Sequence, residues 1–261
     1  MKSNYRYIVK AFMAMAVIAG TTSCDDFLDR EPMSSISPET YYSTAAQLEA
    51  NLNDEYPNVL PSFGQWTYGI FGEDKGTDNQ IEVNANDRYT QDRWKVPHSE
   101  SDNWKFERIY RINFFLSEAL PKFGEDMSGS QNTISGSVAT IKHYIGEMYF
   151  LRAYEYFKKL QLFGDFPIIN QPRADEMEAL REASKRFPRN EVARFIISDL
   201  DKAYAYMSDV DMATTRINKD VAMLVKSRVA LFEATWLQNF KGTAFVPGGE
   251  GWPCLLYTSD A

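Results

Sequence analysis

The sequence predicts a mostly α-helical protein whose helices pack as tetratricopeptide-like pairs, with long irregular loops between some of them. Three observations support this fold class. Apolar residues recur every three or four positions in five separate segments. Segments with the alternating pattern of a β-strand are few. Proline, glycine and capping residues bound the periodic segments, although no strict repeat of about 34 residues is visible.

The first helix is predicted to begin near Thr44. Thr44 and Gln47 have the spacing of a capping box, in which each side chain accepts a hydrogen bond from the other residue's backbone N–H. Apolar side chains then recur at Leu48, Leu52 and Tyr56. Because proline removes a helical hydrogen bond and clashes with the preceding turn, Pro57 is expected to end this helix.

The second helix is predicted to begin at Trp104 and to end at Pro121, with a polar linker over residues 122–136. Its apolar stripe consists of Ile109, Ile112, Leu116 and Ala119. The third and strongest helix is predicted from Ser137 to Phe163. Its main apolar face consists of Ile145, Tyr149, Ala153, Tyr156, Leu160 and Phe163. Aromatic residues on its other sides favour packing between several neighbours.

Gly164 is a natural C-cap for the third helix, and an extended segment is expected at residues 167–169. Two more amphipathic helices are predicted after it. The apolar face of the first consists of Val192, Ile196, Leu200, Ala203 and Met207. The second has Asn218 as its N-cap. Its apolar face is predicted to consist of Val221, Val225, Val229, Phe232 and Trp236.

Residues 1–23 have the pattern of a signal peptide. A basic start precedes an apolar stretch over residues 11–20, which is too short to span a bilayer. Small residues then lead to Cys24, the position that lipoprotein processing requires, because its thiol accepts the lipid. We therefore predict a lipid anchor carrying palmitate at Cys24, followed by a tether over residues 24–36. An ordinary secreted protein with a cysteine at this position is the alternative.

The composition argues against several functions. A formal net charge of -8 and a pI near 5.0 give no general attraction to nucleic acid. Two cysteines and two histidines do not supply a compact zinc site. The chain contains no phosphate-binding glycine loop, no nucleophile elbow and no HExxH motif. We therefore expect a binding protein without metal or cofactor, and not an enzyme.

Residues 57–103 are rich in Gly, Asn, Asp and Thr, and their lack of periodicity predicts a long irregular segment, which is often functional. Exposed Trp and Tyr rings stack on the apolar faces of sugars, while Asp, Asn and Arg hydrogen-bond the hydroxyls. On this basis we predict ligand contacts at Trp66, Tyr68, Asp74, Asp78, Asn79, Arg88, Tyr89 and Trp94.

Two other interpretations of this segment stay open. Trp94 could anchor its own loop against the helices instead of contacting a ligand. The oxygen-rich run over residues 73–79 could hold calcium, but counting from Asp74, Lys75 and Gly76 break the spacing of an EF-hand loop. A solvated turn is the simpler explanation of that run.

Several groups of residues resemble the SusD/RagB family of surface nutrient-binding lipoproteins of Bacteroidetes. The most specific are Gly146-Glu147, Phe150-Leu151-Arg152-Ala153, Tyr156-Phe157 and Phe163-Gly164-Asp165-Phe166-Pro167. The others are the acidic run after Cys24, the helix end Leu52-Asn53-Asp54-Glu55-Tyr56, the set Trp104, Tyr110, Ile112 and Asn113, the set Ile197, Asp199, Leu200 and Ala203, and the segment from Arg216 to Trp236.

This resemblance implies a tetratricopeptide-like fold on the surface of the outer membrane, capping a TonB-dependent porin of the SusC type. Members of the family capture glycans, or in some cases peptides, and are not catalysts. In the starch-binding members, an arc of aromatic and polar side chains performs the capture. Part of that arc lies in irregular loops of the N-terminal half, which residues 66–103 match in location. A non-catalytic scaffold that binds a protein or a peptide is the alternative function.

The domain organisation expected from the resemblance is a helical N-terminal domain over residues 37–253. Family members run well past this length. Residues 254–261, which include Cys254, do not resemble the family and are interpreted as a non-native tail of a truncated chain. If so, apolar surface should be left uncovered near the end of the domain.

Overall fold

A computed structural model describes residues 41–61, 79, 103–124, 126–208 and 215–247. In these ranges the secondary structure is six helices with three isolated β-bridges, so the predicted mostly helical fold class is confirmed. The helices are α1 (Ala45–Val59), α2 (Glu107–Phe123), α3 (Val138–Phe163), α4 (Met177–Ala183), α5 (Arg189–Tyr206) and α6 (Lys219–Phe240). All six belong to one compact unit, Tyr42–Ala261.

The long helix α3 lies at the centre of this unit and packs against α1, α2 and α5, while α6 packs mainly against α5. Side chains around the whole circumference of α3 are buried, as its sequence predicted. The backbones of α3 and α5 come very close at Gly146. A Cβ atom at this position would lie 2.8 Å from the backbone nitrogen of Met207 and 2.9 Å from the carbonyl oxygen of Ala203. Only glycine permits this approach without a shift.

Several predicted helix ends are confirmed. The capping box is present at the start of α1, where the Gln47 N–H donates to the Thr44 hydroxyl and the Thr44 N–H donates to the Gln47 side chain. Helix α3 has Ser137 as its N-cap and ends at Gly164, whose φ of 69° is one that L residues rarely adopt. Asn218 caps α6 by accepting from the Val221 N–H at 3.0 Å.

The prediction that Pro57 and Pro121 end their helices is wrong, because both prolines lie inside the last turn. Each proline lies two residues before the last residue of its helix, so the hydrogen bond that it removes is among the last ones and the final turn tolerates the loss. Helix α1 ends where Leu60 becomes extended, and α2 ends at Gly124 with a φ of 102°. Helix α2 also begins at Glu107, three residues later than predicted.

The predicted apolar face of α6 is also wrong in part. The buried residues are Ala222, Val229, Glu233 and Leu237, so of the predicted face only Val229 is buried. The helix is rotated because Glu233 faces inward to pair with a buried arginine. Leu224, Leu231 and Phe245 are 71%, 62% and 63% exposed. Helix α4 was not predicted, because it has no buried residue and therefore no apolar stripe.

Candidate functional site

Most of the predicted ligand residues lie outside the described ranges. These are Trp66, Tyr68, Asp74, Asp78, Arg88, Tyr89 and Trp94, and the predicted anchor Cys24 lies outside them as well. Asn79 is described and is exposed. These assignments therefore stay predictions. Within the described ranges, no cluster of His, Cys, Asp and Glu side chains could hold a metal ion, and no helix is long and apolar enough to cross a membrane.

The best-defined polar structure is a buried ion pair between α3 and α5. The guanidinium of Arg152 donates from Nε to Asp199 Oδ2 at 2.6 Å and from Nη2 to Asp199 Oδ1 at 2.8 Å. The side chains of the two residues are 4% and 0% exposed. A buried charge of either sign is costly without its partner, so this two-point contact fixes α3 and α5 relative to each other.

The same arginine also reaches α2 and the extended segment after α3, which we define as residues 167–173. Arg152 Nη1 donates to Asn113 Oδ1 at 2.8 Å and to the carbonyl oxygen of Asn170 at 3.1 Å. Asn113 in turn donates to the carbonyl oxygen of Ile169 at 2.8 Å. The extended segment is therefore held beside α2 by side chains whose own positions are fixed by burial.

Tyr156 completes this framework. Its hydroxyl accepts from the Ile169 N–H at 2.8 Å and donates to the Ile169 carbonyl oxygen at 3.0 Å. Burial raises the pKa of the Tyr156 hydroxyl above its ordinary value of 10.0, which favours the protonated form that donates this bond. Both backbone hydrogen-bonding groups of Ile169 are therefore satisfied from the interior of the protein.

A second buried pair joins α3 to the chain before α6. Arg216 donates to both carboxylate oxygens of Glu147, at 2.8 and 2.6 Å. The Tyr56 hydroxyl of α1 donates to the same carboxylate at 2.8 Å. His143 Nδ1 accepts from the Ser208 N–H at 3.2 Å, which leaves the proton on Nε2, 2.9 Å from Glu147. Because each of these groups is committed to a partner, the cluster is a structural element rather than a ligand site.

A groove runs along α2 and is the candidate functional site. It consists of two cavities that share Gln171 as a lining residue. The first, of about 320 Å³, is the Tyr110 cavity, and the second, of about 350 Å³, is the Arg152 cavity. Helix α2 and its N-cap contribute one continuous stripe of side chains to both cavities. Residues of this stripe are one, three or four positions apart. The stripe consists of Phe106, Ile109, Tyr110, Asn113, Leu116, Ser117, Leu120 and Pro121.

The opposite wall of the groove changes along its length. The extended segment lines both cavities, with α4 at the end of the Tyr110 cavity and α3 and α5 at the end of the Arg152 cavity. The side chains of Asn170 and Gln171 are exposed and make no hydrogen bond to another described residue. The Tyr110 ring is 52% exposed and stacks on Phe114 at 6.2 Å.

The charges along the groove nearly balance. Arg173 and Asp175 both line the Tyr110 cavity. In the Arg152 cavity, Asp199 neutralises Arg152 and lies 3.7 Å from Lys202. The ring of Tyr149 lies under both cations, and burial raises the pKa of Tyr149 to about 12. The groove therefore presents an exposed ring, amides and a hydroxyl without a strong field of either sign.

A third cavity, of about 450 Å³, lies beside the end of α3, the last turns of α6 and the chain that follows α6. Its most buried cation is Arg189, which donates to both oxygens of Glu233 and packs at 4.0 Å on Trp236. Here burial raises the pKa of Glu233, although Arg189 opposes this rise. Its buried guanidinium is paired, as Arg152 is in the groove. The groove along α2 differs in joining two cavities and in presenting the exposed amides of Asn170 and Gln171.

Sequence reasoning did not identify the groove. Its ligand-facing residues are exposed side chains on α2 and on the extended segment, whose positions depend on how these elements pack together. A signal was nevertheless present, since Tyr110 and Asn113 belong to the set that resembles the SusD/RagB family. The spacing of Phe106, Tyr110, Asn113 and Ser117 also marks one face of α2.

The comparisons with known proteins agree on one family. The SusD-like_3 family, described as "Starch-binding associating with outer membrane", matches residues 26–231. SusD-like protein P2 from Formosa agariphila is 25% identical over 257 residues, which cover 94% of this chain and 46% of that protein. SusD-like protein P25 from the same organism is 24% identical over 233 residues, covering 82% of this chain and 41% of that protein.

A crystal structure of a SusD-like protein from Bacteroides fragilis shares the fold, with a TM-score of 0.50, 17% identity and coverage of 81% of this chain and 40% of that one. The chain spans less than half of the length of these relatives. The match of residues 26–231 covers most of the chain and includes α1, α2, α3, α4, α5 and the first half of α6. The chain therefore belongs to the SusD-like family.

Proposed function

We propose that this chain is a cell-surface lipoprotein that binds a polysaccharide or oligosaccharide and delivers it to a TonB-dependent outer-membrane porin of the SusC type. The observation that carries the proposal is the match of residues 26–231 to a family described as starch-binding and associating with the outer membrane. The groove along α2 is consistent with it, because exposed aromatic and amide groups are those that bind sugars.

Titration of the purified full chain against a polysaccharide panel tests the glycan part. The panel contains soluble starch, laminarin, xylan and galactomannan as neutral polymers and alginate as a charged one. We expect saturable binding to at least one of them. Binding to a panel of extended peptides with none to any glycan would instead support the scaffold alternative. The glycan should be recovered uncleaved, because the proposed function is not catalytic.

The anchor is proposed at Cys24, and the chain offers a matched control in its second cysteine, Cys254. Cells that express the protein are fed a labelled fatty acid. We expect label in the wild-type protein and in Cys254→Ser, and none in Cys24→Ser. Equal labelling of all three proteins would exclude an anchor at Cys24 without bearing on glycan binding.

Copurification of the labelled protein with a TonB-dependent porin tests the proposed partner.

A further inference from the structure

The shape of the α2 groove restricts what it can bind. Its stripe runs from Phe106 to Pro121, which at 1.5 Å per residue corresponds to about 22 Å of helix. A single small ligand would fill one of the two half-open cavities, which have volumes of about 320 and 350 Å³. A ligand that uses both has to be a chain that lies along the helix and passes Gln171.

Two kinds of chain fit such a groove, and the extended segment distinguishes them. An extended peptide binds the edge of a neighbouring strand through backbone hydrogen bonds. Here the Ile169 N–H and carbonyl oxygen are both bonded to the Tyr156 hydroxyl, and the Asn170 carbonyl oxygen accepts from Arg152. These backbone groups are therefore already hydrogen-bonded by side chains of the protein interior. The side-chain amides of Asn170 and Gln171 are exposed instead, and amides hydrogen-bond sugar hydroxyls as both donors and acceptors.

We infer that the groove along α2 binds a linear, uncharged glycan chain lengthwise, with a sugar ring stacked on Tyr110 and later sugars bonded to Gln171 and Ser117. The inference rests on the proposed function and names the site and the shape of its ligand. Near-neutral charge along the groove favours an uncharged polymer, since a strongly charged one gains affinity from an opposite field. One exposed ring can stack on only one sugar. Most of the binding free energy is therefore expected from the contacts that further sugars make along the groove.

Three variants test this at different points of the groove. Tyr110→Ala removes the ring, Gln171→Ala removes the amide that lines both cavities, and Ser117→Trp fills the Arg152 cavity. Matched controls replace exposed residues outside the groove: Tyr204→Ala on α5, whose ring is 44% exposed, and Gln238→Ala on α6. Unchanged thermal unfolding of each variant shows that the framework is intact.

The probes are maltooligosaccharides and laminarioligosaccharides of increasing length, together with any neutral polysaccharide that the full chain binds. Affinity should rise with length until both cavities are filled. Tyr110→Ala should raise Kd about tenfold, and Gln171→Ala about threefold to tenfold. Ser117→Trp should remove the gain from added length and leave the shortest bound chain unaffected. Both control variants should bind as the wild type does.

The outcomes separate the two proposals. If a polysaccharide binds but Tyr110→Ala and Ser117→Trp bind it with wild-type affinity, the groove is not the glycan site and the proposed function stands. If no polysaccharide binds, the proposed function falls and this inference falls with it. Preferential binding of alginate, or competition for the groove by an extended peptide, would overturn the inference that the ligand is an uncharged glycan.

Discussion

Replacing Arg152 by methionine should be among the most destabilising single substitutions in the chain. The change keeps most of the side-chain volume but removes both bonds to Asp199 and the bonds to Asn113 and to the Asn170 carbonyl. Asp199 is then left 0% exposed, with Lys202 at 3.7 Å as its nearest remaining cation. Removing one partner of a buried pair costs about 3–5 kcal/mol. We expect a loss of this size in the free energy of unfolding, measured by urea denaturation.

An exposed ion pair provides the control. Lys185 and Glu182 are 65% and 56% exposed, so Lys185→Ala should cost less than about 1 kcal/mol. The double variant Arg152→Met with Asp199→Leu removes both buried charges and should be more stable than the sum of the single losses predicts. A loss below about 1 kcal/mol for Arg152→Met would refute the reasoning. It would mean that water or local movement compensates Asp199.

The Arg152→Met variant has a second readout in the extended segment. Because Arg152 and Asn113 hold residues 169–170 in place, the Ile169 amide should exchange its hydrogen faster in the variant, although Tyr156 still accepts from it. Unchanged protection of Ile169 would show that Tyr156 alone positions the segment.

Three further predictions concern single helices. Gly146→Ala should destabilise by about 1–3 kcal/mol although alanine favours helices, because its Cβ would lie 2.8 Å from the backbone of Met207; a stabilised variant in thermal unfolding would contradict this. Thr44→Ala should cost about 0.5–2 kcal/mol in urea denaturation by removing the bond to Gln47, and no loss would show that the capping box is dispensable. Burial raises the pKa of Glu55 above 4.5 in the folded chain, so the folded state binds its proton before the unfolded state does. The stability of the wild type relative to Glu55→Gln should therefore rise as the pH falls from neutral toward 4.5, and a pH-independent difference would refute the raised pKa.

The helices could be predicted because their signals are local. The Thr44 capping box, Gly164 and the Asn218 cap each act within one turn, and the apolar face of α5 is buried as its spacing predicts. The failures arise where local and tertiary effects compete. Pro57 and Pro121 are tolerated in a last turn, and α6 is rotated by the pairing of Glu233 with Arg189, two residues 44 positions apart.

The candidate site was less predictable for the same reason. Its walls come from α2, α3, α4, α5 and the extended segment, and the packing that brings α2 beside the others is tertiary, so no local pattern encodes it. The residues that resemble the family serve mainly the scaffold. Glu147, Arg152 and Tyr156 are buried in the framework, while the exposed residues beside them contact the groove. The family resemblance therefore predicted the scaffold, and Tyr110 of the same set lines the groove. The ligand contacts predicted between residues 66 and 94 stay predictions, because all of them except Asn79 lie outside the described ranges.

The buried pairs of α3 have a consequence for how the helices can slide. Glu147 and Arg152 project toward different neighbours, and each meets a single opposite charge, Arg216 and Asp199 respectively. Moving α3 by one turn, about 5.4 Å, would separate both pairs at once and take the buried side chains of Glu147, Arg152 and Asp199 away from their present two-point partners. The two ion pairs therefore form together in only one alignment of the helices. We expect that exposed positions such as Tyr110 and Gln171 can be exchanged freely on this scaffold, so that ligand preference changes while the alignment of the helices does not.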